Sequence, residues 1–78
     1  MKCTRYFLET RARPDREMIR DDWIARAVNS PVREVRQADS RIRRWALIEE
    51  AEGRYLRVVL LEDGATVHNA FFDRDFKP

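Results

Sequence analysis

The chain has 78 residues, and 38% of them are charged, which leaves material for one domain with one small core and favours a two-layer arrangement of sheet and helix. Lys and Arg number 16 against 14 acidic residues, for a net charge of +2, and lysine occurs only at positions 2 and 77. The positive charge is therefore almost entirely arginine, the cation suited to bidentate phosphate or carboxylate contacts. Cys3 is the only cysteine, which excludes an internal disulfide and a cysteine-based metal site.

Targeting and membrane signals are missing from the sequence. No apolar run approaches the ~20 residues that a membrane-spanning helix needs, and the first residues contain no apolar signal-peptide region. The chain also has no internal repeat and no linker, so residues 1–78 are expected to form a single domain. We expect a soluble, cytoplasmic protein without a metal or cofactor and without a membrane partner.

The first third of the chain predicts one edge strand and one helix. Residues 3–9 alternate loosely between polar and apolar side chains, which indicates an edge strand. Residues 15–29 place Ile19, Trp23 and Ala27 near helical spacing, with Asp15 as the N-cap behind a proline. An amphipathic helix packed on a sheet is the expectation.

That helical region can also be divided in two. The pair Asp21-Asp22 is suited to cap a second helix, so residues 11–20 and 21–29 are alternatives to one continuous helix. In either case Ser30-Pro31 ends it, because a residue that precedes proline is disfavoured in the α region.

A short polar strand is predicted at residues 32–38, where its charges suit a sheet edge. The turn Asp39-Ser40-Arg41 then leads into the next strand. A three-residue loop at this point places Val35 beside Trp45 on the core face, and a two-residue loop would place Val35 outside. We favour the first arrangement.

Residues 41–75 predict three successive antiparallel strands joined by turns at Glu52-Gly53 and Asp63-Gly64. Asp-Gly is a strong hairpin signal, because it tolerates the positive φ values of a type I′ turn. Pairing of Glu62 with Ala65 would put Leu60 opposite Val67. Pairing of Ala51 with Arg54 would put Trp45 beside Leu60.

A side-chain period of two then sorts the predicted sheet into two faces. The core face is Trp45, Leu47, Leu56, Val58, Leu60, Val67 and Phe71, interrupted by Glu49 and Asn69. The second face is Arg44, Ala46, Ile48, Tyr55, Arg57, Val59, Leu61, His68, Ala70 and Phe72. Because the second face is too apolar to be idle and too basic to be another core, we expect function there.

His68 is the only histidine and hence the only side chain whose ordinary pKa suits proton transfer near neutrality. The predicted register places it near Val59 with Arg57 on the neighbouring strand. His68 as general acid or base and Arg57 as the phosphate-stabilising cation form a candidate site for metal-independent RNA cleavage. A surface or sheet histidine without catalytic role is the alternative.

Arginines interleaved with aromatic residues favour phosphate contact combined with base stacking. The candidate RNA-binding residues are Arg41, Arg43, Arg44, Arg54 and Tyr55. An ordinary salt-bridged sheet is the alternative, because glutamates lie nearby in sequence.

The apolar part of the second face indicates an interface. Its candidate residues are Val59, Leu61 and Phe72. A second copy of the chain or an antitoxin-like protein would then be the partner, and the protein would be a non-catalytic interaction or homodimerisation module.

Most of the chain from about Arg11 onward resembles small bacterial proteins related to the RelE/BrnT-like toxins. The residues that carry the resemblance are Trp23, Ile24, Pro31, Asp39, Arg41, Arg43, Trp45, Arg54, Tyr55, Leu56, Arg57, Val58, Asp63, Gly64, Val67, Ala70, Phe71, Asp73 and Arg74. The resemblance implies an α+β fold with an antiparallel sheet of about four strands and one or two helices on one face. It also implies an RNA-cleaving or RNA-binding toxin of a toxin-antitoxin system.

Two departures from the family pattern are visible. BrnT-like relatives often begin with a His-Ala-x-x-Arg helix, whereas this chain has Arg11-Ala12-Arg13-Pro14-Asp15 at the corresponding place. A Thr or Ser that is frequent in their last strand is Asn69 here. Both departures concern the residues on which the family's ribonuclease chemistry depends.

Overall fold

A computed structural model describes residues 1–78 and shows two helices and one four-stranded sheet. The elements are α1 (Arg5–Thr10), α2 (Asp21–Asn29), β1 (Arg33–Arg36), β2 (Ile42–Ile48), a 3₁₀ turn (Glu49–Ala51), β3 (Arg54–Leu60) and β4 (Val67–Phe72). The strands are antiparallel in the order β1-β2-β3-β4. The predicted α+β architecture is confirmed. Neither helix is both long and apolar enough to cross a membrane.

Residues 5–10 are helical, so the predicted edge strand at residues 3–9 was wrong. The Thr4 hydroxyl accepts a hydrogen bond from the Phe7 N–H at 3.1 Å and caps α1. Phe7 is buried in the core. Cys3 alone keeps a strand-like contact, a parallel bridge with Val67. The segment is too short for its pattern to reveal the helix, which the cap and the burial of Phe7 decide.

The two-helix alternative was right for residues 21–29, which form α2, whereas residues 11–20 are turns. Asp15 therefore caps no helix. Trp23, Ile24 and Ala27 lie buried on the side of α2 that packs on the sheet. The helix ends at Asn29, as the following Ser-Pro pair predicted.

The sheet face that packs against the helices, called the inner face below, forms the core. Fourteen buried residues make up this core: Phe7, Ile19, Trp23, Ile24, Ala27, Ile42, Ala46, Ile48, Ala51, Leu56, Val58, Leu60, Val67 and Ala70. Full burial of one Leu, Ile or Val side chain contributes roughly 1.5–3 kcal/mol. Most of the buried apolar side chains therefore lie between the helices and this face.

Strand β2 presents the opposite faces from those predicted. Trp45 pairs with Arg57, not with Leu60. Glu49–Ala51 leave the ladder as a 3₁₀ turn, and Glu52 and Gly53 follow with φ values of 63° and 71°. The ladder is displaced by an odd number of residues, and an odd shift exchanges the two faces of a strand. Ala46 and Ile48 consequently face inward, whereas Trp45 and Leu47 face outward.

The Asp63-Gly64 hairpin and the pairing of Leu60 with Val67 are confirmed. The turn itself differs from type I′, because Gly64 has positive φ and Asp63 does not. Asp63 instead uses its carboxylate, which accepts hydrogen bonds from the N–H groups of Ala65 and Thr66. The N–H of Leu61 donates to the Thr66 carbonyl and closes the loop.

A β-bulge then changes the faces of β4. The register shifts between Leu60 and Val59, so Val59 pairs with Asn69 and Arg57 pairs with Phe71. His68 is the unpaired extra residue. Asn69 and Phe71 therefore face outward, and Ala70 and Phe72 face inward, which reverses the prediction for these four residues.

Strand β1 is shorter than predicted and lies at the sheet edge, with all four residues exposed. Arg33 pairs with Trp45, and Val35 pairs with Arg43. Val35 shares a face with Trp45 as expected, but this is the outer face, and Val35 is 41% exposed. The prediction that it belongs to the core was wrong, because the face of Trp45 itself was inverted.

Candidate anion-binding site on the outer face of the sheet

The outer face, turned away from the helices, is built from two rows of paired residues and the residues beside them. One row runs Val35, Arg43, Val59 and Asn69, and the next runs Arg33, Trp45, Arg57 and Phe71. Leu47 and Tyr55 form a third, shorter row. Three arginines on neighbouring positions make this face basic.

Arg57 occupies the centre of the outer face. Its guanidinium carbon lies 5.1 Å from the centre of the Phe71 ring and 5.8 Å from that of Trp45, which is within cation–π range. The side chain is 21% exposed, and its Nε is buried without a hydrogen-bond acceptor. An unpaired buried donor of this kind is unusual in a folded protein.

Arg43 is the diagonal neighbour of Arg57 across the ladder. Burial, and second the positive charge of Arg43, lower the pKa of Arg57 from its ordinary value. The Nε of Arg43 donates to the side-chain oxygen of Gln37 at 2.8 Å, which fixes the guanidinium. Two adjacent guanidinium groups repel each other and together favour an anion such as phosphate.

Arg16 adds a further guanidinium, which comes from the turns between the helices. Its guanidinium carbon lies 5.3 Å from the centre of the Phe71 ring, and its Nη1 donates to the Asn69 side-chain oxygen at 2.7 Å. The side chain is 15% exposed, and Nε is 3.6 Å from Asp15, too far for a hydrogen bond. Sequence analysis missed Arg16, because residues 15–29 were expected to be helical and nothing in the sequence links position 16 to β4.

Residues 73–78, called the closing segment below, cover the other half of the outer face. The Phe76 ring stacks on Trp45 with a centroid distance of 4.8 Å and an interplanar angle of 17°, and it lies 5.0 Å from Tyr55. The indole N–H of Trp45 donates to Asp73 Oδ2 at 3.0 Å. Trp45 is consequently only 5% exposed although it lies outside the helix-covered core.

Asp73 is the one carboxylate beside Arg57. Its Oδ2 lies 3.6 Å from Arg57 Nη1. Burial opposes ionisation of Asp73, but the hydrogen bonds from Trp45 and from the Asp75 N–H, with the charge of Arg57, outweigh it and lower the pKa. The ionised carboxylate thus partly neutralises Arg57 without forming a bidentate pair.

His68 lies in the bulge and contacts the start of the chain. Its Nδ1 is 3.0 Å from the Thr4 hydroxyl, and its ring stacks on Tyr6 at a centroid distance of 4.8 Å. Burial, and second the charge of Arg41, lower its pKa. His68 precedes Phe71, the partner of Arg57, by three residues, which is about 10 Å along a strand. The expected position of His68 opposite Val59 was wrong, because Asn69 takes that place.

Two of the predicted RNA-binding arginines lie on the inner side. Arg44 Nη1 donates to the Val28 carbonyl at 2.9 Å, and its Nε donates to Glu34 at 2.6 Å. Arg54 Nε donates to the Ala51 carbonyl at 2.9 Å, and its guanidinium carbon lies 4.0 Å from the centre of the Phe72 ring. Both side chains hold neighbouring elements together.

The other predicted RNA-binding residues belong to the outer side. Arg43 lies beside Arg57, and Tyr55 lies beneath the closing segment. Arg41 precedes β2, with its Nε 3.8 Å from Asp39.

The predicted interface residues do not form one exposed stripe. Val59 is outward-facing but only 7% exposed. Phe72 faces inward and packs edge-on against Trp23 at 6.1 Å. Leu61 is half-buried, directly after the last paired residue of β3. The apolar surface that the sequence suggested is therefore largely used within the chain.

Fold and site together define a small α+β protein with a basic, aromatic-lined outer sheet face. No cluster of three or more His, Cys, Asp or Glu side chains is placed to hold a metal ion. Comparison with models of protein families, with curated proteins and with solved structures gave no match. The function is therefore argued from the site itself.

Proposed function

We propose that the protein binds RNA through the outer face of the sheet, as a toxin-like protein related to the RelE/BrnT type. The observation that carries the proposal is the adjacent pair Arg43 and Arg57 on the outer face, with both guanidinium groups on the same side of the sheet. A phosphate oxygen placed between the two guanidinium groups would relieve their repulsion.

The surroundings of the arginine pair favour a nucleic-acid strand over a lone anion. Trp45 and Phe71 flank Arg57, and Arg16 and Arg33 lie on the two sides of this row. A basic groove with aromatic rings is the usual means of binding single-stranded nucleic acid, where phosphates meet arginines and bases stack.

Binding is better supported than cleavage. Cleavage of RNA without a metal needs a base and an acid near the phosphate. The outer face has no histidine at its paired positions. His68 instead contacts Thr4 and Tyr6 at the start of the chain. An endoribonuclease using His68 and Arg57 would need these two side chains to approach each other, and its activity has a readout separate from binding.

The test measures binding of a labelled single-stranded RNA oligonucleotide by fluorescence anisotropy at about 50 mM and about 200 mM salt. Arg43→Gln and Arg57→Gln are compared with Arg5→Gln, which removes the same charge from a side chain that is 92% exposed on α1. We expect affinity to fall at least fivefold in the first two variants and the salt dependence to weaken, because each phosphate contact releases counterions.

Equal affinity in Arg43→Gln and Arg5→Gln, or salt-insensitive binding, would overturn the proposal. The same samples run on denaturing gels report cleavage, with His68→Ala as the variant. Cleavage that is lost in His68→Ala would extend the proposal from binding to catalysis.

An interaction module is the second candidate, and the exposed β1 edge favours it. Val35 is 41% exposed on the outer face, and Val32 just before the strand is 55% exposed. A second copy or an antitoxin-like protein could cover these side chains and the basic row beside them. Light scattering would show a dimer mass that Val35→Glu abolishes, whereas a monomer at high concentration would exclude the homodimer.

A further inference from the structure

The closing segment already covers part of the outer face, and it places there the same kinds of group that a nucleotide would, a ring and an anion. It places an aromatic ring, Phe76, on Trp45 and a carboxylate, Asp73, beside Arg57. The ring stacks nearly parallel on Trp45, at 4.8 Å and 17°, as a base stacks on an aromatic side chain. The anion lies at the edge of the same indole and 3.6 Å from Arg57.

The closing segment is attached to the sheet by few bonds. Its only backbone hydrogen bond to the sheet runs from the Asp73 N–H to the Tyr55 carbonyl, at 2.9 Å. Beyond Asp73 the attachment consists of the Phe76 ring, the Arg33 guanidinium 5.0 Å from that ring, and the bond from Arg33 to the Lys77 carbonyl at 3.2 Å. Residues 74–78 can therefore leave the sheet without breaking any strand pairing.

We propose that the closing segment occupies a nucleotide subsite and competes with RNA for it. An unpaired base would stack on Trp45 in place of Phe76, and the adjoining phosphate would contact Arg57 in place of Asp73. The inference rests on the proposed function and deepens it. It names the ligand as single-stranded RNA that offers an unstacked base beside the phosphate bound by the arginine pair.

The charges at the site favour the exchange, because Asp73 lies 3.6 Å from Arg57. Asp73 is held ionised, so a phosphate at Arg57 would meet a like charge if the carboxylate stayed. The base and Phe76 cannot stack on the same side of Trp45 together. Binding at the arginine pair and release of the closing segment are therefore coupled, and weakening the segment raises the affinity for RNA.

The first measurement uses the wild-type chain. Nuclear Overhauser contacts between the rings of Phe76 and Trp45 are followed by NMR while a short single-stranded RNA is added. We expect these contacts to disappear as the RNA binds. If RNA binds while the rings remain in contact, the inference is wrong.

The second measurement compares Phe76→Ala and Asp73→Asn with the wild type. Each protein is tested with the same RNA and with copies of that RNA in which one nucleotide at a time lacks its base. We expect Phe76→Ala to bind the intact RNA about fivefold to tenfold more tightly, with the gain lost on the abasic RNA because no base replaces Phe76. Circular dichroism spectra confirm that each variant is folded. Equal gains for intact and abasic RNA would contradict the base subsite.

The two proposals fail in different ways. Loss of RNA affinity in Arg43→Gln together with an undisturbed Phe76–Trp45 contact would leave the proposed function standing and refute the subsite. Absence of any salt-sensitive RNA binding, in the wild type and in Phe76→Ala alike, would refute both.

Discussion

Replacement of Arg44 by alanine tests whether this arginine is structural. Its Nη1 donates to the carbonyl of Val28 in the last turn of α2 at 2.9 Å, and to that of Gly64 at 3.4 Å. Its Nε pairs with Glu34, whose side chain is about half exposed. One arginine thus joins the end of α2, strand β1 and the hairpin loop.

The expected loss of stability can be built from these contacts. A carbonyl left without its partner costs about 1–3 kcal/mol, and removal of a cation from a helix C-terminus costs about 0.3–1 kcal/mol. The pair with Glu34 is solvent-screened and adds at most ~1 kcal/mol. The sum is about 3 kcal/mol, a large part of the ~4–12 kcal/mol expected for a chain of this size.

The assay is urea unfolding followed by tryptophan fluorescence and circular dichroism. With a slope of about 1 kcal/mol per molar urea, the midpoint should fall by about 3 M. Arg44→Met, which keeps the aliphatic stem, should recover only a small part of the loss. Arg41→Ala is the matched control, because its longer 3.8 Å contact with Asp39 is exposed and should contribute less than ~0.5 kcal/mol.

The reasoning would be refuted if Arg44→Ala unfolded within ~0.5 kcal/mol of Arg41→Ala. It would equally be refuted if folded Arg44→Ala lost RNA affinity to the extent expected for Arg43→Gln. Either result would return Arg44 to the surface role that its sequence neighbours suggested.

Three further predictions concern local backbone and charge. Hydrogen bonds to the Asp63 carboxylate, mainly from Thr66, keep the pKa of Asp63 far below its ordinary value. The ionised Asp63 therefore stabilises the fold fully above the unfolded pKa of about 4, and this contribution is lost as pH falls. Urea midpoints at about pH 5 and about pH 3 should show this fall, and Asp63→Asn should reduce it. Glu52 has a φ of 63°, so Glu52→Asn should raise stability by about 0.5–1 kcal/mol in thermal unfolding, whereas Gly53→Ala, at a φ of 71°, should lower it. Thr4→Ala removes the cap of α1 and should cost about 1 kcal/mol, or about 4–8 °C in Tm.

Local signals were read correctly where turn chemistry and periodicity agree. The Asp63-Gly64 hairpin, the end of α2 and the inward set of β3 followed from residue type alone. The predicted assignment of residues to the two sheet faces was wrong wherever an irregular residue interrupts the strand pairing. Neither the 3₁₀ turn before Glu52 nor the bulge at His68 has a distinct residue signature, yet each inverts the strand that it touches.

Trp45 illustrates a different limit. A tryptophan at a sheet position is normally assigned to the core, and here it lies on the outer face under Phe76. The contact joins residues 31 positions apart and depends on the path of a segment without regular structure. For the same reason Arg16 could not be linked to Asn69. Arg57 was assigned to the correct face because β3 kept its predicted facing, whereas Arg43 lies beside it only because β2 is inverted relative to the prediction.

The bulge gives β4 one residue more than its pairing with β3 uses. With His68 left out of the count, Val67, Ala70 and Phe72 alternate strictly with Asn69 and Phe71 between the two faces. Without His68, every other residue of β4 would therefore keep the sheet face that it has now. A position that pairing does not need is available for another contact, and His68 uses it to hold the first residues of the chain against the edge of the sheet. Variation at this site should consequently alter the docking of α1 before it alters the sheet.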